Sequence, residues 1–288
     1  MSDRNSARRK MVASVDDTPT VVDNQSAPTN NSLLNFATPT EIVELPSRGI
    51  FYGPGHPLHG KDTVEIKFMT AKEEDILTSP ALLRKGQALE RLMQSIIIEN
   101  VDPADLLIAD RNAILMAARV TGYGAEYPVT ITCPACSNSF ENEFDLSRYS
   151  EGYDFEDPEE SVFNFTRDKT FEIELPTSKV LVEIKALSGR EENFLSKARE
   201  MKAQRNLPET NLTDLFRAMI IRANGVEDKT QIAEFIDNMP AVDSRYLRVA
   251  YTKAMPSVNF SQAAECTSCG HIAETEVPVT AEFFWPKQ

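Results

Sequence analysis

Part of this chain occurs twice, and that limits its folds more than any other feature. "VEIKFMTAKEEDIL" (64–77) returns as "VEIKALSGREENFL" (182–195), with seven of fourteen positions identical and no gap. Upstream, "ELPSRG" (44–49) returns as "ELPTSK" (174–179). The changes keep their physics. Thr70 becomes Ser188, and Glu73 becomes Glu191, so both copies carry the hydroxyl and carboxylate of a capping box. Alternating Val64 and Ile66 predict a strand before that cap, and Val182 and Ile184 predict its counterpart. Helical patterns follow in both copies: 87–98, 103–109 and 110–122 (opening on Asp110 as N-cap), then 212–225, 230–239 and 243–255. The expected fold is α+β, built as an internal duplication. Each unit is a β-hairpin, a small helical bundle and a strand–knuckle–strand.

Each copy ends in a Cys-x-x-Cys pair: Cys133 with Cys136, and Cys266 with Cys269, which are all four cysteines of the chain. One pair supplies two thiolates, whereas a structural zinc takes four in a tetrahedron. If the two copies pack face to face, the knuckles close one zinc-ribbon-like site for a single zinc ion across the duplication. A redox pair is the poorer reading, because it needs its first cysteine at a helix N-terminus and these pairs sit between strands. Structural disulfides and a site that has lost its metal are the remaining readings. Spacing leaves open whether one chain or two supply the four ligands. His271 follows the second pair closely and reads as a surface residue rather than a ligand.

The expected boundaries follow from composition. Residues 1–38, rich in Ser, Asn, Thr and Asp, predict a disordered tail with a basic head at Arg4, Arg8, Arg9 and Lys10. The first unit covers 39–150, an acidic linker 151–161, and the second unit 162–288. The linker lacks the Asp-x-Asp-x-Asp-Gly register of a calcium loop. The first residues have no apolar run behind their bases, and no apolar stretch is long enough for a bilayer, so an intracellular address without membrane contact is expected. Asp and Glu number 44 against 30 Lys and Arg, a net charge of −14. Such a body repels phosphates, which makes nucleic acid an unfavoured partner.

No phosphate loop, nucleophile elbow, zinc-protease helix or dinucleotide fingerprint is present in the sequence. The carboxylate pairs Glu73–Glu74 and Glu191–Glu192 fall in the first turn of a capped helix, where dipole and capping explain them without catalysis. The expectation is a protein that is not an enzyme. "GIFYGPGHPLHG" (49–60) stands in the first copy alone. That insertion makes Phe51, Tyr52, His56 and His59 candidate partner contacts. Phe284 and Trp285 near the C-terminus are candidates too, against the plainer reading that they pack on the protein's own repeat.

Taken together, "ELPSRGIFY", "GHPLHG", "MTAKEEDIL", "RNAILMAAR", "TGYG", the two cysteine pairs and "AEFFWP" resemble a baseplate hub assembly protein family of T-even-type, contractile-tailed bacteriophages. The resemblance spans roughly residues 40–288. It implies a viral protein of the infected host's cytoplasm or of the virion tail baseplate. Such a protein promotes assembly of the central hub, as chaperone or component, with hub or other tail proteins as partners. It brings no catalytic residue. The alternative is a zinc-ribbon regulator touching nucleic acid or a polymerase, for which basic ribbon hairpins would be expected. The hairpins here, 137–146 and 271–284, are acidic.

Overall fold

The computed structural model describes residues 38–154, 163–258, 260–277 and 281–284. Residues 1–37 of the predicted disordered tail, most of the acidic linker, and Trp285 lie outside the described residues.

The chain starts as a hairpin, β1 (Thr40–Glu44) against β2 (Thr63–Lys67), paired antiparallel with Val43 opposite Val64. Alternation turns Val43, Val64 and Ile66 inward. Thr70 then caps α1 (Ala71–Thr78): its hydroxyl takes the Lys72 amide while Glu73 takes the Thr70 amide at 3.0 Å. α2 (Pro80–Arg84), α3 (Ala88–Ile96) and a 3-10 turn at Pro103–Asp105 lead into α4 (Ile108–Tyr123), a largely buried helix. The predicted N-cap at Asp110 is corrected: the cap is Leu107, three residues earlier, and the Asp110 carboxylate is engaged by a distant loop instead. Residues 103–109 are likewise not one short helix but a 3-10 turn followed by the first turn of α4. β3 (Glu126–Thr132) and β4 (Ser139–Asp145) form the next hairpin. A 3-10 segment at Leu146–Gly152 and β5 (Tyr153–Asp154) follow.

The second half begins with β6 (Asn164–Phe165), β7 (Thr170–Glu174) and β8 (Leu181–Lys185). Ser188 caps α5 (Gly189–Gln204) with the same two hydrogen bonds that Thr70 uses, Glu191 taking the Ser188 amide at 2.9 Å. α6 (Asn211–Met219) stops early. The predicted helix over 212–225 breaks at Ile220, and β9 (Ile220–Ala223) pairs with β8 to complete an antiparallel sheet in the order β6-β7-β8-β9. β-branched Ile220 and Ile221 gain more from that half-buried edge than from another helical turn. The first half does the same in miniature: α3 ends at Ile96, and the Ile98 amide bonds to the Glu65 carbonyl of β2 at 3.1 Å. α7 (Lys229–Asp237) and α8 (Ala241–Ala254) follow. β10 (Ser257–Val258) pairs with β5. The last hairpin is β11 (Ser261–Glu265) with β12 (Ile272–Glu276), and a 3-10 turn at Ala281–Phe284 comes after it. The structure is thus mixed helix and sheet.

One apolar core takes side chains from both halves, among them Leu92, Ile114 and Met116 with Phe171, Ile184 and Leu247. Between the halves the Ile108 amide bonds to the Leu187 carbonyl at 3.1 Å, and the Gly189 amide to Leu106 at 3.0 Å. Arg190 holds both Asp102 and Asp105 across this seam.

A four-thiol centre between two hairpins

The two knuckles have the same backbone. In the first, the Cys133 amide bonds to the Asn138 carbonyl and the Ser137 amide to the Cys133 carbonyl, both at 2.9 Å. In the second, the Cys266 amide bonds to the His271 carbonyl and the Gly270 amide to the Cys266 carbonyl, again at 2.9 Å. Each turn needs a left-handed residue four places after its first cysteine. Gly270 supplies it at φ 67°, and Ser137 takes the same strained position at φ 56°. These turns aim backbone N–H groups at sulfur.

The hairpins lie side by side. Gln262 of β11 meets Asp145 of β4 through two hydrogen bonds, of 3.1 Å and 2.6 Å, using the backbone amide and carbonyl of Asp145. Asn138 donates to the Ser268 hydroxyl from one knuckle to the other at 2.7 Å. A small apolar cluster of Phe140 and Ala264, with Ile131 against it, backs the buried Cys133 and Cys266. Cys136 and Cys269 face outward.

All four sulfurs fall within 4.8 Å of one another. Cys133 and Cys269 are 3.7 Å apart, as are Cys136 and Cys266. A disulfide would need about 2.05 Å. A tetrahedron of sulfurs at about 2.3 Å from a central zinc has edges of roughly 3.8 Å. At these distances no disulfide is formed, and the spacing fits a shared ion. The cross-pairing matters as well: both 3.7 Å contacts join one knuckle to the other.

The thiols do not ionise alike. The Cys136 and Ala135 amides point at the Cys133 sulfur and, with neighbouring thiols, hold it down to about 6 despite burial. The His271 amide draws Cys269 the same way, but the Cys136 thiol, burial and the other two cysteines push it up to about 12. The thiols titrate as a coupled set, with Cys133 favouring the thiolate over Cys269. The four cysteines can hold a metal ion; His271 is exposed and outside the cluster.

The other candidates sit elsewhere. Phe51 and Tyr52 are buried in the core, with Phe51 edge-on to Phe165 at 5.6 Å. His56 stacks on Tyr52 at 4.2 Å and takes the Leu58 amide on Nδ1; His59, exposed, contacts the Tyr52 carbonyl. Burial of the two aromatics leaves only the histidine turn of this insertion facing solvent. Phe284 is buried too, and Phe283 packs edge-on to Tyr127 at 5.3 Å, so this end of the chain folds onto the first half.

Three anchors have no local sequence signal. Asp110 accepts the Ser47 amide at 3.0 Å, the Ser47 hydroxyl at 2.6 Å and the Tyr52 hydroxyl at 2.6 Å. Asp243, at the same turn of α8, accepts the Thr177 and Ser178 amides at 2.7 and 2.8 Å. Arg119, fully buried, donates to the carbonyls of Phe283 at 2.7 Å, Gly124 and Glu126. Its guanidinium stacks near Tyr123 and Tyr127.

Among the described residues no helix is long and apolar enough to cross a membrane. Residues 44–285 match the family described as T4 bacteriophage base plate protein. No curated protein and no solved structure matches the chain.

Proposed function

Since the chain belongs to the T4 bacteriophage base plate protein family, we propose that it serves the central hub of the baseplate, as an assembly chaperone or hub component, and has no catalytic role. Membership makes it a phage tail protein whose partners are other tail proteins. In this reading it acts in the host cytoplasm during tail assembly. One zinc ion is held by Cys133, Cys136, Cys266 and Cys269 of a single chain. Carrying the clasp is one observation: two hairpins whose Cys136 and Cys266 stand 130 positions apart bring four thiol sulfurs within 4.8 Å of one another. Four thiolates leave no open position for water, so the ion's work is structural. It clasps the ends of two halves, 39–150 and 162–288, which we read as a duplicated unit. Matching capped helices and the matching aspartates of α4 and α8 support the duplication.

Acidic hairpins count against the polymerase or nucleic-acid alternative. Glu126, Glu141, Glu143, Asp145, Glu265 and Glu274 line the strands around the cluster.

Elemental analysis of the purified chain should give one zinc per molecule, with a sulfur shell at about 2.3 Å by X-ray absorption. Cys133→Ser with Cys266→Ser should remove the metal and lower stability by several kcal/mol, a part of the roughly 10–16 kcal/mol with which structural zinc binds in small domains. A metal-free wild type, or a double variant that still assembles hubs at wild-type yield, would sink the clasp. Phage lacking the protein should accumulate baseplates without a central hub; normal hubs would sink the assembly role.

A further inference from the structure

Helix α8 presents an outward face unlike the acidic body around it. Val242, Tyr246 and Val249 recur at i, i+4 and i+7 and are 62, 40 and 51 % exposed. At about 100° per residue these three form one stripe, and Lys253 continues it for a further turn. Arg245 and Arg248 border the stripe, both exposed. The helix has a single acid, Asp243, and it is buried and turned inward onto Thr177 and Ser178. The outward face therefore carries three cations and no anion. Among the described residues none of the three makes an ion pair, whereas Arg190, Arg217 and Arg222 each sit on carboxylates.

We propose that this face docks an acidic amphipathic segment of another protein, one with apolar residues a helical turn apart and carboxylates beside them. Charge complementarity argues for that occupant. An apolar centre bordered by cations matches an apolar ridge bordered by anions, the centre giving the desolvated contact and the border the register. A second copy docked α8 to α8 would set three cations against three. Nucleic acid would leave the Val–Tyr–Val stripe against phosphate, on a chain of net charge −14 that repels it. The inference deepens the tail-assembly reading only in where the partner is sought; it does not use the cysteines.

The test is photo-crosslinking in infected cells with p-benzoylphenylalanine placed at Tyr246, in the full chain with its cysteines intact. The expected adduct joins a tail-protein peptide with net negative charge and spaced apolar residues. Arg245→Glu with Arg248→Glu and Lys253→Glu should lower adduct yield by about tenfold or more, while the unfolding midpoint of the purified variant stays near wild type. An adduct with a basic segment, with nucleic acid or with a second copy overturns the proposal, and so does no adduct at all. Equal yield from the charge-reversed variant also overturns it. Metal content and hub yield are measured on the cysteine variants, so failure here leaves the clasp standing.

Discussion

Asp110 and Asp243 occupy the same turn of their helices, yet their acidities diverge. Burial dominates at Asp110 and pushes its pKa up, against three hydrogen bonds from Ser47 and Tyr52. At Asp243 burial pulls the same way, but Ser178 and the Thr177 and Ser178 amides outweigh it and the pKa falls. The linkage signs are therefore opposite. Asp243 contributes stability that is full above the ordinary aspartate range and is lost as pH falls through its depressed value. Asp110 contributes stability that is present below that range and is lost as pH rises through its raised value. Denaturant melts across pH should show Asp243→Asn costing roughly 2–3 kcal/mol at neutrality, a difference that shrinks in acid. Asp110→Asn should flatten the stability loss above the ordinary aspartate range; an unchanged slope would contradict the assignment. Arg119 is a third long-range anchor. Arg119→Met removes the donor from three carbonyls, and a loss of roughly 2–3 kcal/mol is expected, read as a lower midpoint in urea.

The elements show what local pattern reveals and where it stops. Both capping boxes are legible, because a hydroxyl and a carboxylate three residues apart act within one turn. β9 is not: "AMIIRANG" continues the helical pattern of α6, and only the exposed edge of β8 makes Ile220 and Ile221 a strand. The start of α4 misleads for a similar reason, since Asp110 looks like a cap until a loop 63 residues away claims it. Gly189 illustrates element packing. A methyl group there would lie 2.1 Å from the Arg111 guanidinium, which folds over the start of α5 and reaches the Pro103 carbonyl at 2.8 Å. Gly189→Ala should loosen the seam between the halves and cost about 1–3 kcal/mol, despite alanine being the better helix former. Hydrogen exchange at the Leu106 and Leu187 pairings would report it, and unchanged protection would contradict the packing argument.

At the scale of the molecule, the thiol centre was the most legible part of the site. Each knuckle is a local motif, and two half-sites imply a whole one. Its surroundings were not legible, because the Gln262–Asp145 and Asn138–Ser268 contacts depend on how the hairpins meet. Phe51 and Tyr52 misled as surface candidates for a related reason: a loop rich in Gly and Pro still folds its aromatics inward when a buried carboxylate waits for the tyrosine hydroxyl. The long separation between the two knuckles also sets an order of events during synthesis. Cys133 and Cys136 emerge from the ribosome as two of the cluster's four thiols, and Cys266 stands 130 positions after Cys136. At about 5–20 residues per second that interval lasts several seconds or more. The Arg119 guanidinium waits longer still, for the Phe283 carbonyl. A nascent first half is therefore an unfinished object with an open thiol pair and a buried cation lacking one partner, and the four-thiol cluster can form only on a chain translated past both knuckles.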